Sequence, residues 1–509
     1  MRPAGWPLPA ELALVAAAGG LHALSFAPQP LAWLQALCVA LLAWRAAAAG
    51  SAGRAALLGG VFGTAGLAGG VWWLFISMHR YGGLPAWLAA LAVALLAALL
   101  SLYLAAALAA WWRWRRGRPV GDAALFAALW LLAELARGLL LTGFPWVAAG
   151  YAHGDGALVA LAPWVGVYGI GAVAAGVAAL AAGAVAAQGV ARWGALALAT
   201  LLWWGPQALP RDFTAPGGTL SVALLQTNVA QDEKFVPEHL PATLDWVGRA
   251  LLQSRADLVV APETAIPLLP EQLPPGYWDA LRGAYGEGDR AALVGLPLGS
   301  FAAGYTNSVA GLSADAARQP GGFYRYDKHH LVPFGEFIPL GFRWFVDLMR
   351  MPLGDFDRGP LDAPSFAVRG ERVAPNICYE DLFGEELAVR FRDAASAPTL
   401  LANVSNIAWF GDTVAIDQHL QISRLRTLEL QRPMLRATNT GATVVIDHRG
   451  VVTHALAPHT RGVLAGRVQG RVGLTPYAWW AGRFGLGPLA LAALMVVAAG
   501  ACWRRSVPR

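Results

Sequence analysis

The most informative stretch of the sequence is Arg372-Val373-Ala374-Pro375-Asn376-Ile377-Cys378-Tyr379-Glu380-Asp381. The run from Arg372 to Ile377 is typical of a buried strand, and the run from Leu382 to Arg392 is typical of a helix. Cys378 is therefore predicted to lie on a strand-to-helix turn. Backbone N–H groups at the start of a helix can lower the pKa of a thiol and can hold an oxyanion. This position makes Cys378 a candidate nucleophile.

Two other charged residues follow predicted strands. Leu258-Val259-Val260-Ala261 runs into Glu263, and Lys328 lies in a polar segment after a glycine-rich turn. Open α/β sheets place their functional sites at the carboxyl ends of strands. Further strands are predicted at Ser221–Leu225 and Ala291–Leu296, with a helix at about Pro241–Arg255.

Glu263, Lys328 and Cys378 have complementary chemistry. A thiol with the usual pKa of about 8.5 is mostly protonated near neutrality. A carboxylate can take its proton, and an ammonium can favour both the thiolate and a tetrahedral oxyanion. The three residues are therefore predicted to form a Glu-Lys-Cys nucleophilic site. The structural alternative makes Glu263 a helix-start carboxylate, Lys328 a solvated turn residue and Cys378 a buried small side chain.

The composition indicates a membrane protein. Of 509 residues, 56% are hydrophobic and 14% are charged, whereas soluble proteins have about 25% charged residues. Long apolar segments dominate residues 1–212 and return at 485–503. Residues 218–470 alternate short apolar runs with polar turns, as a soluble α/β domain does. We therefore expect a seven-helix transmembrane domain, a catalytic domain and a C-terminal transmembrane helix.

Eight membrane spans are predicted, because a bilayer core needs roughly 20 apolar residues per helix. They lie near residues 9–27, 30–49, 55–78, 85–111, 121–142, 159–187, 193–210 and 485–503. The abundance of alanine and glycine in them indicates closely packed helices. Glu134 and Arg137, both within one span, are predicted to pair with each other, with a phosphate group as the alternative partner of Arg137.

The arginines predict the orientation of these spans. The arginines that flank or fill the loops between spans, and those of the C-terminal tail, fall largely on one side of the membrane: Arg45, Arg54, Arg113, Arg115, Arg116, Arg118, Arg192, Arg504, Arg505 and Arg509. Arg80 is the main exception. The positive-inside rule then places both termini in the cytoplasm and the catalytic domain outside. The same placement argues against nucleic acid as the reason for the net charge of +6, to which only Lys234 and Lys328 contribute lysines.

Three segments resemble the signature motifs of the nitrilase, or carbon–nitrogen hydrolase, superfamily. They are Ala261-Pro262-Glu263-Thr264-Ala265-Ile266-Pro267, Tyr326-Asp327-Lys328-His329-His330-Leu331-Val332-Pro333-Phe334-Gly335-Glu336 and Asn376-Ile377-Cys378-Tyr379-Glu380. The resemblance implies an αββα sandwich that carries a Glu-Lys-Cys triad.

Further motifs narrow the resemblance to the bacterial apolipoprotein N-acyltransferases. They are Leu141-Thr142-Gly143-Phe144-Pro145-Trp146, Asn403-Val404-Ser405-Asn406, Ala408-Trp409-Phe410-Gly411, Gln418-His419-Leu420-Gln421, Arg432-Pro433 and Arg436-Ala437-Thr438-Asn439-Thr440-Gly441. The likeness extends over nearly the whole chain. It implies an enzyme of the bacterial cytoplasmic (inner) membrane with a periplasmic catalytic domain.

The reaction that this resemblance implies has two steps. Cys378 would take an acyl chain from a membrane phospholipid as a thioester, with Glu263 as the base and Lys328 and the Tyr379 backbone N–H at the oxyanion. The α-amine of the diacylglyceryl-cysteine of a lipoprotein would then accept the chain. We expect a monomer that needs no cofactor.

The resemblance also implies supporting roles for Glu336, Tyr379 and Glu380, for which the alternative is a structural hydrogen bond or a helix cap. Phe235 stands near a position where family members often have tryptophan, and it is expected to support substrate binding. Ile407 stands where many have aspartate, which puts a polar role there in doubt.

Other features leave alternatives open. The segment 337–357, rich in Phe342, Trp344, Phe345, Leu348, Met349, Met351 and Leu353, is expected either to gate lipid entry or to pack against its own domain. His329, His330 and His419 lack the spacing of a zinc site. A membrane-tethered amidase that uses water as acceptor, and a transporter or purely structural protein, are the rival functions.

Overall fold

The strand predicted before Cys378 is present as Glu371–Ile377 in the computed structural model, which describes residues 6–28, 30–347 and 355–502. The chain divides into two units. One is built from the described residues of 1–75, 85–211 and 484–509, and the other from Ile76–Leu84 and Asp212–Arg483.

The second unit contains two six-stranded sheets. The strands are β1 (Thr214–Gln226), β2 (Leu258–Val260), β3 (Ala291–Ser300), β4 (Gly304–Leu312), β5 (Tyr324–Asp327), β6 (Phe366–Val368), β7 (Glu371–Ile377), β8 (Leu400–Ser405), β9 (Met434–Thr438), β10 (Val444–Ile446), β11 (Val452–Ala455) and β12 (Gly462–Gly473). The strand orders are β12-β1-β2-β3-β4-β5 and β11-β10-β9-β8-β7-β6. In each sheet three adjacent strands are parallel, β1-β2-β3 and β7-β8-β9. Their carboxyl ends therefore lie at one edge of each sheet.

Alternation along β1 explains why the sheets pack face to face. Leu220, Val222 and Leu224 face the second sheet, where they join a buried cluster with residues of β7, β8 and β9. Ala223 and Leu225 face the opposite way, into a cluster with the outer helices of the first sheet. Successive side chains of a strand point to opposite faces, so one strand serves two apolar layers.

Helices cover the outer faces of both sheets. Leu240–Gln253 and Tyr277–Tyr285 pack on the first sheet. Gly384–Ala388 and Pro476–Phe484 supply residues to the apolar layer of the second. The order of layers is helix, sheet, sheet, helix, as the resemblance implied.

The first unit is helical. Its main helices are Leu8–Ala23, Ala32–Ala48, Ala52–Gly70, Ala86–Trp114, Pro119–Leu139, Ala162–Ala186, Gly189–Trp204 and Gly487–Cys502. Among the described residues, three helical stretches are long and apolar enough to cross a membrane: Ala86–Trp114, Pro119–Thr142 and Ala157–Ala186. The number rises to five if two bent pairs each count as one span. The predicted eight spans are therefore not confirmed.

The predicted span 55–78 differs most from the structure. Its helix ends at Gly70, and a short helix, Leu74–Ile76, and a π-helix, Ser77–Tyr81, follow the break. The apolar composition continues across this break, so hydropathy alone did not indicate it.

Glycines allow the helices of this unit to approach closely. A Cβ at Gly19 would lie 2.3 Å from the Phe62 carbonyl oxygen, and a Cβ at Gly63 would lie 2.7 Å from Ser101 Cβ. Both distances are too short for a side chain. The small residues therefore permit helix contact, as the composition indicated.

Buried charges in this unit are paired. Arg137 Nη2 lies 3.7 Å from Glu134 Oε1, and Arg137 Nη1 donates to the carbonyl oxygens of Phe144 and Trp146. The predicted Glu134–Arg137 pair is confirmed. Arg45, which the sequence placed at the end of a span, lies in the last turn of a helix and donates to Glu11 Oε1. Trp503, Arg504, Arg505 and Arg509 lie outside the described residues.

Candidate active site

Glu263 lies just beyond β2, and its carboxylate is held at both oxygens. The Asn307 side-chain amide donates to Oε1 at 2.7 Å, and the Asn406 backbone N–H donates to Oε2 at 2.8 Å. The loop that carries Glu263 runs against β3 so closely that a Cβ at Gly295 would lie 2.2 Å from the Pro262 carbonyl oxygen. Glu263 is therefore fixed by groups from three separate segments.

Lys328 directly follows β5 and is fully buried. Its ammonium donates to Glu336 Oε1 at 2.9 Å and lies 3.6 Å from Glu263 Oε1. Asn307 Nδ2 donates to Glu336 Oε1 at 2.7 Å as well. The electrostatic attraction of Glu336 and Glu263 outweighs burial and raises the pKa of Lys328 above its ordinary value, so the lysine is a permanent cation.

Cys378 occupies the turn after β7 in a strained backbone conformation. Its φ is +52°, a region that residues other than glycine rarely adopt. A 3₁₀-helix, Cys378–Leu382, follows at once, and then the short helix Gly384–Ala388. The single helix predicted at Leu382–Arg392 is therefore replaced by short helical turns that begin at the cysteine itself. Strain of this kind is concentrated at functional sites.

The electrostatic environment of the thiol differs from the expectation. The cysteine is only partly buried, but dense protein packing around its sulfur disfavours the thiolate. This desolvation, together with the negative charge of Glu263, raises the pKa of Cys378 to about 12, while Lys328 opposes the shift. The thiol is therefore protonated at rest, and its activation needs a base.

Glu380 connects the Cys378 turn to the Lys328 segment. Its Oε2 accepts hydrogen bonds from the Ile377 N–H and the Tyr326 hydroxyl, both at 2.7 Å. Its Oε1 accepts from the His329 N–H at 2.7 Å and the His330 N–H at 3.2 Å. This buried carboxylate therefore fixes the Cys378 turn and the Lys328 segment relative to each other.

The Tyr379 side chain lies in an aromatic cluster. Its ring is buried against Phe383 and His330, with ring centroids 5.3 Å and 5.7 Å away. The side chain packs, while its backbone belongs to the turn after Cys378.

A buried polar network lies behind the Cys378 backbone. The Cys378 carbonyl accepts from Asn403 Nδ2 at 3.3 Å and from His419 Nε2 at 3.2 Å. His419 Nε2 also lies 2.8 Å from Asp381 Oδ1, and Arg436 donates to His419 Nδ1 at 2.8 Å. These contacts assign the histidine proton to Nε2 and anchor the strained turn. The sequence had singled out the motifs of Asn403, His419 and Arg436 without a role for these side chains.

Lys234 and Asn307 were missed as site residues. Lys234 is buried, and its ammonium donates to the Glu263 carbonyl oxygen at 3.1 Å. The signal was present, because Lys234 is one of two lysines in the chain. Asn307 carried no sequence signal, since its role depends on the pairing of β4 with β5.

The two departures from the family pattern differ in burial. Phe235 is 49% exposed, whereas Ile407 is fully buried. Within the segment 337–357, Leu340 and Trp344 are exposed and Phe345 contacts Phe334, with ring centroids 5.7 Å apart. Leu348, Met349, Met351 and Leu353 lie outside the described residues.

The histidines do not assemble a metal site. In the part of the chain that the structure describes, no group of three or more His, Cys, Asp or Glu side chains could hold a metal ion. His330 instead pairs with Glu386 at 3.0 Å.

The fold and the site define a protein of the carbon–nitrogen hydrolase class. The family model described as carbon-nitrogen hydrolase matches residues 221–477. Among solved structures, a carbon–nitrogen hydrolase from Helicobacter pylori G27 matches 49% of this chain and 89% of its own chain at 15% identity and a TM-score of 0.35. An amidase of the nitrilase superfamily from Nesterenkonia AN1 matches 51% and 93% at 18% identity and a TM-score of 0.37.

A second family model, the apolipoprotein N-acyltransferase N-terminal domain, matches residues 18–180. Relatives named apolipoprotein N-acyltransferase match nearly the full length. The protein from Verminephrobacter eiseniae is 56% identical over 94% of both chains. The one from Ralstonia nicotianae is 47% identical over 97% of this chain and 93% of its own. The chain therefore belongs to the apolipoprotein N-acyltransferase family, which supports an acyltransferase enzyme associated with a membrane.

Proposed function

We propose that the protein transfers an acyl chain from a membrane phospholipid to the α-amine of the N-terminal diacylglyceryl-cysteine of lipoproteins, through a thioester on Cys378. The observation that carries this proposal is the shared position of Lys328 between Glu263 and Glu336, with the charges of all three acting on the Cys378 thiol. Family membership supplies the class of substrates.

In the first half-reaction, Glu263 accepts the thiol proton and the sulfur attacks the ester carbonyl carbon. The Lys328 ammonium and the Tyr379 backbone N–H stabilise the oxyanion that forms. When the carbon–oxygen bond breaks, Glu263 returns the proton to the departing glycerol oxygen. The lysophospholipid leaves and the acyl chain stays on sulfur. Because the resting thiol has a raised pKa, this step depends on the base.

In the second half-reaction, the neutral α-amine attacks the thioester carbon and the same groups hold the oxyanion. The carbon–sulfur bond breaks, Glu263 takes the amine proton, and the proton passes to the leaving thiolate. This step forms the amide product and regenerates the free thiol. In each half-reaction Glu263 accepts one proton and gives one back, so one carboxylate can serve both.

The supporting residues hold the catalytic groups in place. Glu336 shares the Lys328 ammonium and the Asn307 amide with Glu263. Glu380 ties the cysteine turn to the lysine segment. We further propose that Tyr379 shapes the wall beside the thioester and that the exposed ring of Phe235 contacts substrate.

We propose the bacterial cytoplasmic membrane as the location, with residues 1–212 and 485–503 in the bilayer and the domain of residues 218–470 on the periplasmic face. The distribution of arginines supports cytoplasmic termini. Both substrates carry acyl chains, so a membrane enzyme meets them without extracting either into water. The proposal is for a monomer.

Acyl transfer to a synthetic diacylated lipopeptide in phospholipid–detergent micelles, followed by gel shift, tests this function. A fatty-acid release assay runs in parallel. Transfer onto the peptide supports the proposal, release of free fatty acid alone identifies a membrane-tethered hydrolase, and neither product identifies a non-catalytic membrane protein. Mass spectrometry should locate the trapped acyl group on Cys378, and Cys378→Ser should lose it. Normal turnover by that variant would refute the thioester.

A further inference from the structure

Lys234 is the second lysine of the chain and lies in the same site as the first. It belongs to the turn after β1, which is anchored by a hydrogen bond from Asn406 Nδ2 to Gln231 Oε1 at 2.9 Å. The Asn406 backbone N–H in turn donates to Glu263. The turn that carries Lys234 is therefore fixed against the loop of the proposed base.

The ammonium of Lys234 is buried but only partly satisfied. It makes one hydrogen bond, to the Glu263 carbonyl oxygen at 3.1 Å, although an ammonium has three N–H donors. No carboxylate lies within ion-pair distance of it in residues 6–28, 30–347 and 355–502. A buried cation without an anion is costly. The negative charge of the surrounding site must therefore offset part of this cost.

The charges at the site show where that negative charge arises. Glu263 and Glu336 carry two negative charges, and Lys328 offers one positive charge to both. When the thiol proton moves to Glu263, the negative charge moves to sulfur and the sum stays at minus one. Lys234 brings this sum to zero. The thiolate charge also acts on Lys234, opposing the burial that lowers the pKa of this lysine to about 8.

We propose that Lys234 is a second cation of the reaction centre, which offsets the carboxylate excess and stabilises negative charge on the Cys378 sulfur. Lys234 acts through its positive charge, which lies beside the Glu263 backbone, and not through contact with the reacting atoms. It is therefore a positioning residue. The inference relies on the proposed function for the overall reaction, but its test measures the thiol itself and does not depend on acyl transfer.

The test compares alkylation of Cys378 by iodoacetate, which is an anion, and by iodoacetamide, which is neutral. Rates are read on the Cys378 peptide by mass spectrometry in the full-length protein in detergent. The guanidinium-unfolded chain gives the reference ratio. Lys234→Met should lower the iodoacetate-to-iodoacetamide ratio by about tenfold, since removing a positive charge from the site weakens the attraction of the anionic reagent. Lys234→Arg should keep the ratio near that of the wild type.

Glu233→Gln is the matched control, because it removes an exposed charge from the same turn, and it should leave the ratio unchanged. Equal loss of both rates in Lys234→Met, at a constant ratio, would show a structural role and overturn the proposal.

The wild type provides a measurement that needs no folded methionine variant. Its ratio should fall as the pH rises through about 8, whereas the ratio of Lys234→Arg should stay constant. The described charged groups that act on Lys234 are Glu263 and Cys378, and ionisation of the thiol changes both rates alike. A wild-type ratio that lies below that of Lys234→Arg at every pH in this range would show that Lys234 carries no charge, and it would overturn the proposal.

Discussion

Lys328 Nζ donates to Glu336 Oε1 at 2.9 Å, a shorter contact than the 3.6 Å to Glu263 Oε1. The two carboxylates compete for one ammonium, and neither is fully neutralised by it. In the proposed mechanism Glu263 accepts the thiol proton, while the Lys328 cation remains in place for the oxyanion. We therefore propose that Glu336 has an electrostatic role in addition to its structural hydrogen bonds.

Glu336→Gln should lower kcat for acyl-enzyme formation by about 10²-fold, because Lys328 would then pair with Glu263 alone and move from its position. The KM for phospholipid should change little. Single-turnover formation of the acyl-enzyme, measured by quenched mass spectrometry, gives the rate. Glu271→Gln, at an exposed position, is the control. A wild-type rate in Glu336→Gln would remove Glu336 from the mechanism.

Glu380→Gln should reduce both stability and activity. The carboxylate accepts four hydrogen bonds from Ile377, Tyr326, His329 and His330, whereas the amide nitrogen of glutamine cannot accept any. Leaving buried donors unpaired costs about 1–3 kcal/mol. Thermal unfolding and acyl transfer should decline together. Stability that falls while the rate per folded molecule is preserved would show that the connection to the Lys328 segment does not matter for catalysis.

Individual strands of the second unit could be predicted from their own apolar runs, whereas the αββα order of layers followed from the resemblance to the nitrilase superfamily. The alternation that packs the two sheets together is local to the sequence: in β1 the residues Val222 and Leu224 alternate with Ala223 and Leu225. The position of a helix break, by contrast, could not be predicted from hydropathy. The break after Gly70 occurs within a continuously apolar segment, so it leaves no mark in hydropathy.

The charged residues of the site could be predicted from motifs, but their surroundings could not. Asn307 and Glu263 are 44 residues apart, and Asn406 and Glu263 are 143 apart, so only the folded sheets bring them together. The sign of the Cys378 pKa shift has the same origin. A helix start would lower that pKa, and the dense packing raises it.

Glu385 should make stability depend on pH. Burial raises the pKa of this carboxyl to about 8, and it follows that the folded protein favours the protonated form. The unfolded chain releases this proton at the usual pKa of about 4.3. Stability should therefore be highest below that value and should fall, by at most about 1.4 kcal/mol per pH unit, as the pH rises towards about 8.

Glu385→Gln should flatten this dependence and stabilise the protein at pH 8. Thermal unfolding in detergent between pH 5 and pH 8.5 provides the measurement. Glu287→Gln is the control, because it removes an exposed carboxylate elsewhere in the same unit. The same slope in Glu385→Gln and wild type would assign the pH dependence to another group.

Trp344→Ser combined with Phe345→Ser tests whether the segment 337–357 gates lipid entry. Trp344 is 62% exposed, Leu340 is fully exposed and Phe345 contacts Phe334, so the segment presents an apolar surface whose exposure to water is unfavourable. If this surface contacts lipid, the double substitution should slow turnover of a long-chain phospholipid at least about tenfold, because two large apolar contacts of roughly 1.5–3 kcal/mol each are lost. Hydrolysis of a short soluble ester by the same thiol should change less than about twofold, since that substrate needs no apolar entrance. The measured quantity is the ratio of the two rates. The control is Phe301→Ser, which changes an exposed aromatic residue outside this segment.

Equal loss of both activities would mean that Trp344 and Phe345 support the folded domain, and the proposal that this segment gates lipid entry would have to be abandoned.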